Sequence, residues 1–272
     1  MEHKTWNGAW AAAGGRTRLE RWRAALIPFT LLTGLLAWEA AARWSGLPAF
    51  MLPAPAAVGA RLARALADGS LARHAAVTLS EILGGLSLGL AMAVGLGYAL
   101  AKSRSVERLL APYIVASQSV PVVAIAPLLV IWFGPGRLSK VLICALIVFF
   151  PILINTVVGV RSVPEDLRDL MRSLRATRAQ TFLRLEVPAA MPVLLGGLKV
   201  GATLSVIGAV VGEFVGADAG LGFLINVGRG LYDTALVFVA ILVLVALALA
   251  LYGAVALLER RALAWYQRDP QP

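Results

Sequence analysis

RSVPEDLRDLMRSLRATRAQTFLRLEV, residues 161–187, lies between two long apolar runs and carries six arginines before it meets Pro188. A stretch this charged is not stable in hydrocarbon, so it sits in water beside a membrane that its flanking runs cross. Its internal spacing is helical rather than loop-like. Pro164-Glu165-Asp166 reads as a helix start, because proline is tolerated in the first turn and carboxylates oppose the positive end of the helix dipole. Leu167, Leu170, Met171 and Leu174 then recur at i, i+3, i+4 and i+7 and define one apolar face. Thr177-Arg178-Ala179-Gln180 has the form of a capping box, which predicts a second short helix with Phe182 and Leu185 as apolar contacts and Pro188 as its end. The turn between the two helices falls near Arg175-Ala176. Such a helix pair either rests on the membrane surface or serves as a lever that a soluble partner grips to move the spans.

Composition supports the membrane reading. Hydrophobic residues make up 59% of the 272 and charged residues 15%, too apolar for an ordinary soluble domain. A helix needs about 20 apolar residues to cross the hydrocarbon core. Six runs meet that length: 24–42, 75–101, 109–133, 138–160, 192–215 and 234–258. The fold class is all-α, a polytopic bundle of six transmembrane helices. The first run is too long for a signal-peptide core and is followed by further spans, so it reads as a retained anchor. The second is rich in glycine (Gly84, Gly85, Gly89, Gly95, Gly97), which permits close helix approach. The third contains Pro112, Pro121 and Pro127 and is expected to be kinked or broken. The organisation expected is a polar N-terminal tail (1–23), the first span with an external amphipathic segment (24–74), a core domain (75–265) and a short C-terminal tail (266–272). In the amphipathic segment Val58, Leu62, Ala65 and Leu66 recur at helical spacing opposite Arg61 and Arg64.

Charge sets the orientation. Of the 25 Lys and Arg, seven (Arg43, Arg61, Arg64, Arg73, Arg137, Lys140, Arg229) fall on one side of a six-span arrangement and Lys199 falls within a span. The other seventeen share the side of both termini and of residues 161–187, which predicts that side to be cytoplasmic in a bacterial inner membrane. The net charge of +10 is spread along span edges rather than interleaved with aromatics, which excludes nucleic-acid binding.

Polar groups inside spans are costly and face protein or a cavity. Ser117, Gln118 and Ser119 lie among the prolines of the third span, where broken helix could expose backbone to a solute. Asn155 and Thr156 follow Pro151 and serve either interhelical bonding or the solute path. Glu213 is either a structural partner for a nearby hydroxyl, amide or base, or a path residue. Lys199 is expected to snorkel, and Glu39 and Glu81 to be interfacial. Cys144 is alone and behaves as a small hydrophobe. His3 and His74 have no companions at ligand spacing, so no metal site is expected, and no catalytic constellation is visible. There is no GxxxxGK loop, so any ATP-driven role needs a partner subunit that binds ATP and magnesium.

Asp169-Leu170-Met171, then Arg175, then Leu185-Glu186-Val187-Pro188 resembles the EAA loop of bacterial ABC importer permeases. That pattern runs Glu-Ala-Ala, three residues, Gly, nine residues, Ile-x-Leu-Pro. Here Asp169 stands for the glutamate and Arg175 for the glycine. Trp132-Phe133-Gly134, Phe149-Phe150-Pro151, Asn155-Thr156 and Gly208-Ala209-Val210-Val211-Gly212-Glu213 are similar to the nitrate/sulfonate/taurine branch, which includes thiamine-precursor pyrimidine and riboflavin permeases. The resemblance implies the type I (MetI-like) importer fold with no cofactor of its own. It implies a homodimer of permease chains, an external or periplasmic substrate-binding protein, and a cytoplasmic ATPase dimer that holds the loop at 161–188. The coupling residues carried over are Asp169, Leu170, Met171, Leu174, Arg175, Ala176, Thr177, Phe182 and Pro188. For Arg175 two conformations stand open: left-handed, at a cost of roughly 1–2 kcal/mol, or helical with the side chain on the partner, which is the expectation. The segment 208–213 tilts the expected solute towards a pyrimidine precursor. The rivals are an ion-gradient-driven secondary transporter, which calls for internal repeats and paired membrane carboxylates, and a non-transporting scaffold.

Overall fold

The computed structural model describes residues 18–264, which are helical with no strand among them. They form two units, one ending at Ala57 and the other beginning at Val58. In the first unit, α1 (Arg18–Trp44) contains the run expected as the first span. The tail expected over 1–23 is therefore helical from Arg18 onward, since the polar residues there continue the helix of the run they precede; residues 1–17 and the C-terminal tail lie outside the described residues. The Trp38 indole N–H donates to the Pro53 carbonyl at 3.0 Å and holds the proline-rich segment that follows the helix.

The boundary falls within α2 (Pro55–Ala67), whose Val58 and Ala65 are buried. Next come α3 (Ser70–Lys102), α4 (Arg104–Gln118), α5 (Val122–Phe133) and α6 (Arg137–Arg161). A short pair follows, α7 (Glu165–Ser173) and α8 (Arg178–Thr181), and then α9 (Val187–Gly216), α10 (Leu221–Gly230) and α11 (Thr234–Ala262). Among the described residues, α3, α6, the α8–α9 rod and α11 are long and apolar enough to cross a membrane. The pair α4–α5 adds a fifth span if it is counted as one; α1 is not among these helices.

The α4–α5 pair is bent by 94°. Of its three prolines only Pro121 coincides with the break, while Pro112 and Pro127 lie inside continuous helix. The difference lies in the neighbours. Ser117 Oγ donates to the Tyr113 carbonyl at 2.7 Å and Ser119 Oγ to Val115 at 3.3 Å. Such back-bonding competes with the helix ladder just where Pro121 removes an N–H and disfavours α geometry at Val120.

Pro188 does not end the second short helix, contrary to the expectation. Helix runs from Arg178 to Gly216, and residues 182–186 form a π turn. The Val187 N–H bonds five residues back, to the Phe182 carbonyl. A proline at 188 has no N–H to give and would clash with the carbonyl four residues earlier. The wider π turn moves that carbonyl aside, so the helix survives.

α6 lies at the centre, against α3 on one side and α9 on the other. Glycine makes this approach possible. A Cβ on Gly97 would lie 2.7 Å from Thr156 Cβ, and one on Gly208 2.7 Å from Cys144 Cα. Cys144 is fully buried between α3 and α9, as a small hydrophobe should be. Ala93, Leu100, Val148, Ile152 and Leu153 form the core nearest the α7–α8 end.

Candidate functional site

The α7–α8 hairpin is built from local signals. Its turn is a Schellman motif: the Ala176 N–H donates to Met171 O at 3.0 Å and the Arg175 N–H to Arg172 O at 2.9 Å. The residue that enters left-handed space in this motif is Arg175, with φ of 49°. The expected helical conformation at Arg175 is thus overturned: the turn needs a positive φ, and the arginine adopts it. The next helix starts with a complete capping box, Thr177 Oγ1 accepting from the Gln180 N–H at 3.2 Å and the Gln180 side chain accepting from the Thr177 N–H at 2.8 Å.

The apolar face of α7 has no cover. Leu167 and Leu170 are exposed, Leu174 is 68% exposed, and Met171 is half-buried. Asp169 is exposed and paired with Arg172 at 2.6 Å. Thr177 and Arg175 are exposed, and Ala176 and Pro188 half-buried. Phe182 turns inward and packs edge-on against the Tyr98 ring, centroids 5.1 Å apart. The hairpin is tied to the bundle by Arg168, whose Nη2 donates to Val160 O at 2.8 Å, and by Glu186, which accepts from Lys102 Nζ and from Tyr98 Oη.

At the opposite end of the bundle, α3 and α9 bring together a polar cluster. Glu213, 1% exposed, accepts from Thr78 Oγ1 at 2.6 Å and from the Gly222 N–H. Thr78 Oγ1 also accepts from the Leu221 N–H at 2.8 Å, and His74 Nδ1 accepts from the Gly220 N–H at 2.9 Å. Glu213, Thr78 and His74 together hold the first amides of α10 and the turn at Gly220, whose φ of 121° suits only glycine. Of the two roles left open for Glu213, this geometry supplies the structural one.

Glu81 is 2% exposed rather than interfacial, and its carboxyl lies against that of Glu213, so neither stands alone. Lys140, also buried, donates to Gly216 O at 2.9 Å and to Pro135 O. The helical spacing of His74, Thr78 and Glu81 at i, i+4 and i+7 was the available signal for one shared polar face. Beside them lies a cavity of about 540 Å³ lined by Arg73, Ser80, Glu81, Arg137, Lys140 and Asp218.

The remaining path candidates are dispersed. Ser117, Gln118 and Ser119 are exposed at the α4–α5 break. Ser117 borders a cavity of about 340 Å³ lined mainly by apolar and aromatic side chains, Tyr113, Phe149 and Phe150 among them. The Asn155 amide donates to Pro151 O at 2.8 Å and Thr156 Oγ1 to Ile152 O at 2.7 Å, so both bond within α6 rather than between helices. Both fill glycine gaps, Thr156 against Gly97 and Asn155 against Gly197. Lys199 reaches Glu259 near the C-terminal end of α11 and pairs with it at 2.8 Å, a partner 60 residues away.

Residues 85–263 match the family model described as the binding-protein-dependent transport system inner membrane component. The chain is 50% identical over 244 residues to the riboflavin transport system permease protein RibX of Chloroflexus aurantiacus, covering 90% of this chain and 91% of that one. It is 36% identical to the formylaminopyrimidine transport permease protein ThiX of Halalkalibacterium halodurans, covering 86% and 93%. A taurine transport system permease protein of Escherichia coli is 31% identical, covering 87% and 88%. In solved structures, the inward-facing MetNI methionine ABC transporter superposes with a TM-score of 0.61 at 19% identity, over 68% of this chain and 93% of that one, a likeness of fold.

Proposed function

Since the chain belongs to the binding-protein-dependent transport inner-membrane component family, we propose that the solute it moves is riboflavin or a close flavin. It is the membrane permease subunit of an ABC importer, a transport component rather than a secondary transporter or a scaffold. The observation that carries the choice of solute is the 50% identity to a riboflavin permease along nine-tenths of the chain. That similarity moves the reading from a pyrimidine precursor to a flavin. The aromatic cavity beside Ser117 supports it, because Tyr113, Phe149 and Phe150 offer ring faces and edges to a flat heteroaromatic solute. On this reading Ser117, Gln118 and Ser119 border the path, and Asn155, Thr156 and Glu213 shape the helices around it.

Coupling follows from the bare apolar face of α7. Leu167, Leu170 and Leu174, rimmed by arginines, suit the cleft of a cytoplasmic ATPase better than water. That ATPase binds ATP and magnesium, a second copy of this chain completes the path, and a binding protein delivers the solute at the α10 end. Both termini and the hairpin then face the cytoplasm, a reading the lysine and arginine bias supports.

The test is uptake. The permease, its ATPase and its binding protein are reconstituted in vesicles, and riboflavin, formylaminopyrimidine and taurine are offered separately. ATP-dependent accumulation of riboflavin alone is expected. Accumulation of formylaminopyrimidine or taurine instead would overturn the flavin assignment, and accumulation without ATP or the ATPase would overturn the coupling.

A further inference from the structure

α3 and α4 are joined by a single non-helical residue, Ser103, whose extended backbone (φ −130°, ψ 109°) makes an elbow between them. Both ends of the coupling hairpin grip this elbow. On one side, Glu186 at the end of the π turn accepts from Lys102 Nζ and, at 3.0 Å, from Tyr98 Oη. Glu186 is 1% exposed, whereas the Lys102 side chain is 39% exposed. On the other side, Arg161 at the end of α6 makes a two-point bond to the Glu107 carboxylate, at 2.9 and 2.7 Å, and donates to Leu100 O at 3.2 Å. Lys102 and Glu107 bracket Ser103, and Glu186 and Arg161 flank the hairpin.

We propose that this clamp is where movement of the hairpin enters the bundle: Glu186 and Arg161 carry it to the α3–α4 elbow, and α4 carries it to the break at residues 119–121. Three observations support the assignment. First, the π turn is the local irregularity that Pro188 imposes between hairpin and α9, and such turns gather at functional positions. It brings Glu186 to a buried station against α3, and it sets Phe182 on the Tyr98 ring. Second, α4 buries none of its own residues. It lays half-buried Val106, Leu110 and Ile114 on the core, so it can tilt at lower cost than the more deeply buried α6. Third, the far end of α4 is the 94° break where Ser117 borders the aromatic cavity. A tilt at Ser103 is thus delivered to the proposed solute path.

Glu186 and Arg161 are positioning residues on this account, and the inference rests on the importer reading given above. The test uses the whole permease–ATPase–binding-protein complex in vesicles, reading complex recovery, ATP hydrolysis and riboflavin uptake. Glu186→Gln keeps an acceptor for Tyr98 but removes the charge facing Lys102, and Glu107→Gln does the same to Arg161. Each is expected to leave complex recovery and hydrolysis near wild type while uptake per ATP falls about fivefold or more. The exchange Lys102→Glu with Glu186→Lys is expected to restore at least half of the loss. Lys199→Met, which breaks the α9–α11 ion pair away from the elbow, is expected to leave uptake per ATP unchanged. Should Glu186→Gln fail to assemble, Lys102→Met removes the same contact from its half-exposed side and gives the same readout. Unchanged uptake per ATP in the Glu186 or Lys102 variant, or an equal fall in Lys199→Met, would overturn the clamp. Failure of the wild-type chain to bind an ATPase at all would overturn the importer reading beneath it.

Discussion

Replacing Arg175 separates backbone from side chain at the hairpin turn. Its φ of 49° is fixed by the two Schellman bonds from Arg175 and Ala176, so any residue there must be left-handed. A non-glycine residue in that region is disfavoured by roughly 1–2 kcal/mol, and glycine relieves the strain. Against this, glycine loses more freedom on folding than alanine, by about 0.4–1 kcal/mol. The net advantage of Arg175→Gly over Arg175→Ala is about 0.5–1 kcal/mol. In a domain of this size that raises the unfolding midpoint by about 2 °C, within reach of a thermal scan in detergent at a fixed rate. The glycine–alanine difference isolates the backbone. Alanine against wild type isolates the guanidinium, read as recovery of the ATPase on the purified permease. If Arg175 also touches the partner, Arg175→Ala and Arg175→Glu lower that recovery in increasing order. A glycine variant melting at or below the alanine variant would refute the strain argument, whatever the ATPase does.

Three further outcomes are expected. Thr78→Val removes a donor to Glu213 and an acceptor for the Leu221 N–H in a buried cluster, a loss of about 2–4 kcal/mol read as a lower unfolding midpoint; Thr78→Ser should recover most of it. Gly197→Leu forces side-chain atoms into Asn155, whose Cβ would lie 2.6 Å from the first added carbon, and should cost about 1–3 kcal/mol and depress assembly, whereas Gly253→Leu, where no atom lies within 4 Å of such a carbon, should not. Partial burial would raise the Asp233 carboxyl. The hydrogen bond from Arg61, the Leu236 N–H and the charges of Arg61 and Arg64 outweigh it and hold the group below its ordinary value. Its folded pKa is therefore the lower one, so the contribution to stability is fully present above the ordinary carboxylate value of 3.8 and disappears as pH falls through the folded value. Unfolding midpoints of wild type and Asp233→Asn should accordingly converge in acid and separate above it.

What could be read from sequence divides along contact distance. The hairpin was legible because its determinants are three or four residues apart: the apolar face of α7, the capping box at Thr177 and the turn at Arg175-Ala176. The sign of φ at Arg175 was not, because two hydrogen bonds across the turn decide it and a side chain does not reveal them. Pro188 misled for a similar reason. Propensity says stop, but the largely apolar residues beyond it, 189–216, have to remain helical in lipid, and one π turn satisfies both demands. Glu81 was misread and the partner of Lys199 was missed because both partners lie on other helices, 132 residues on in the case of Glu81 and 60 in the case of Lys199. No local pattern carries that information, although the spacing of His74, Thr78 and Glu81 marked the face on which to look.

The α8–α9 rod is one of the helices that join the two ends of the bundle, with α3 and α6. The rod from Arg178 to Gly216 counts 39 residues, or about 58 Å at 1.5 Å per residue. Its first turns belong to the α7–α8 hairpin, and its last hold Glu213 under the amides of α10. A rod without a joint would force every hairpin displacement on the buried carboxyl cluster, where lost hydrogen bonds are expensive. The π turn at 182–186 supplies a joint close to the hairpin, and the Lys102–Glu186 contact sits on it. On the proposed clamp, displacement passes sideways through Glu186 and Arg161 to the α3–α4 elbow rather than along the whole rod. On the proposed importer reading, the closely packed α6–α9 seam and the loosely packed α4 are the two unlike parts of the path, and the proline at 188 sets the joint between hairpin and rod.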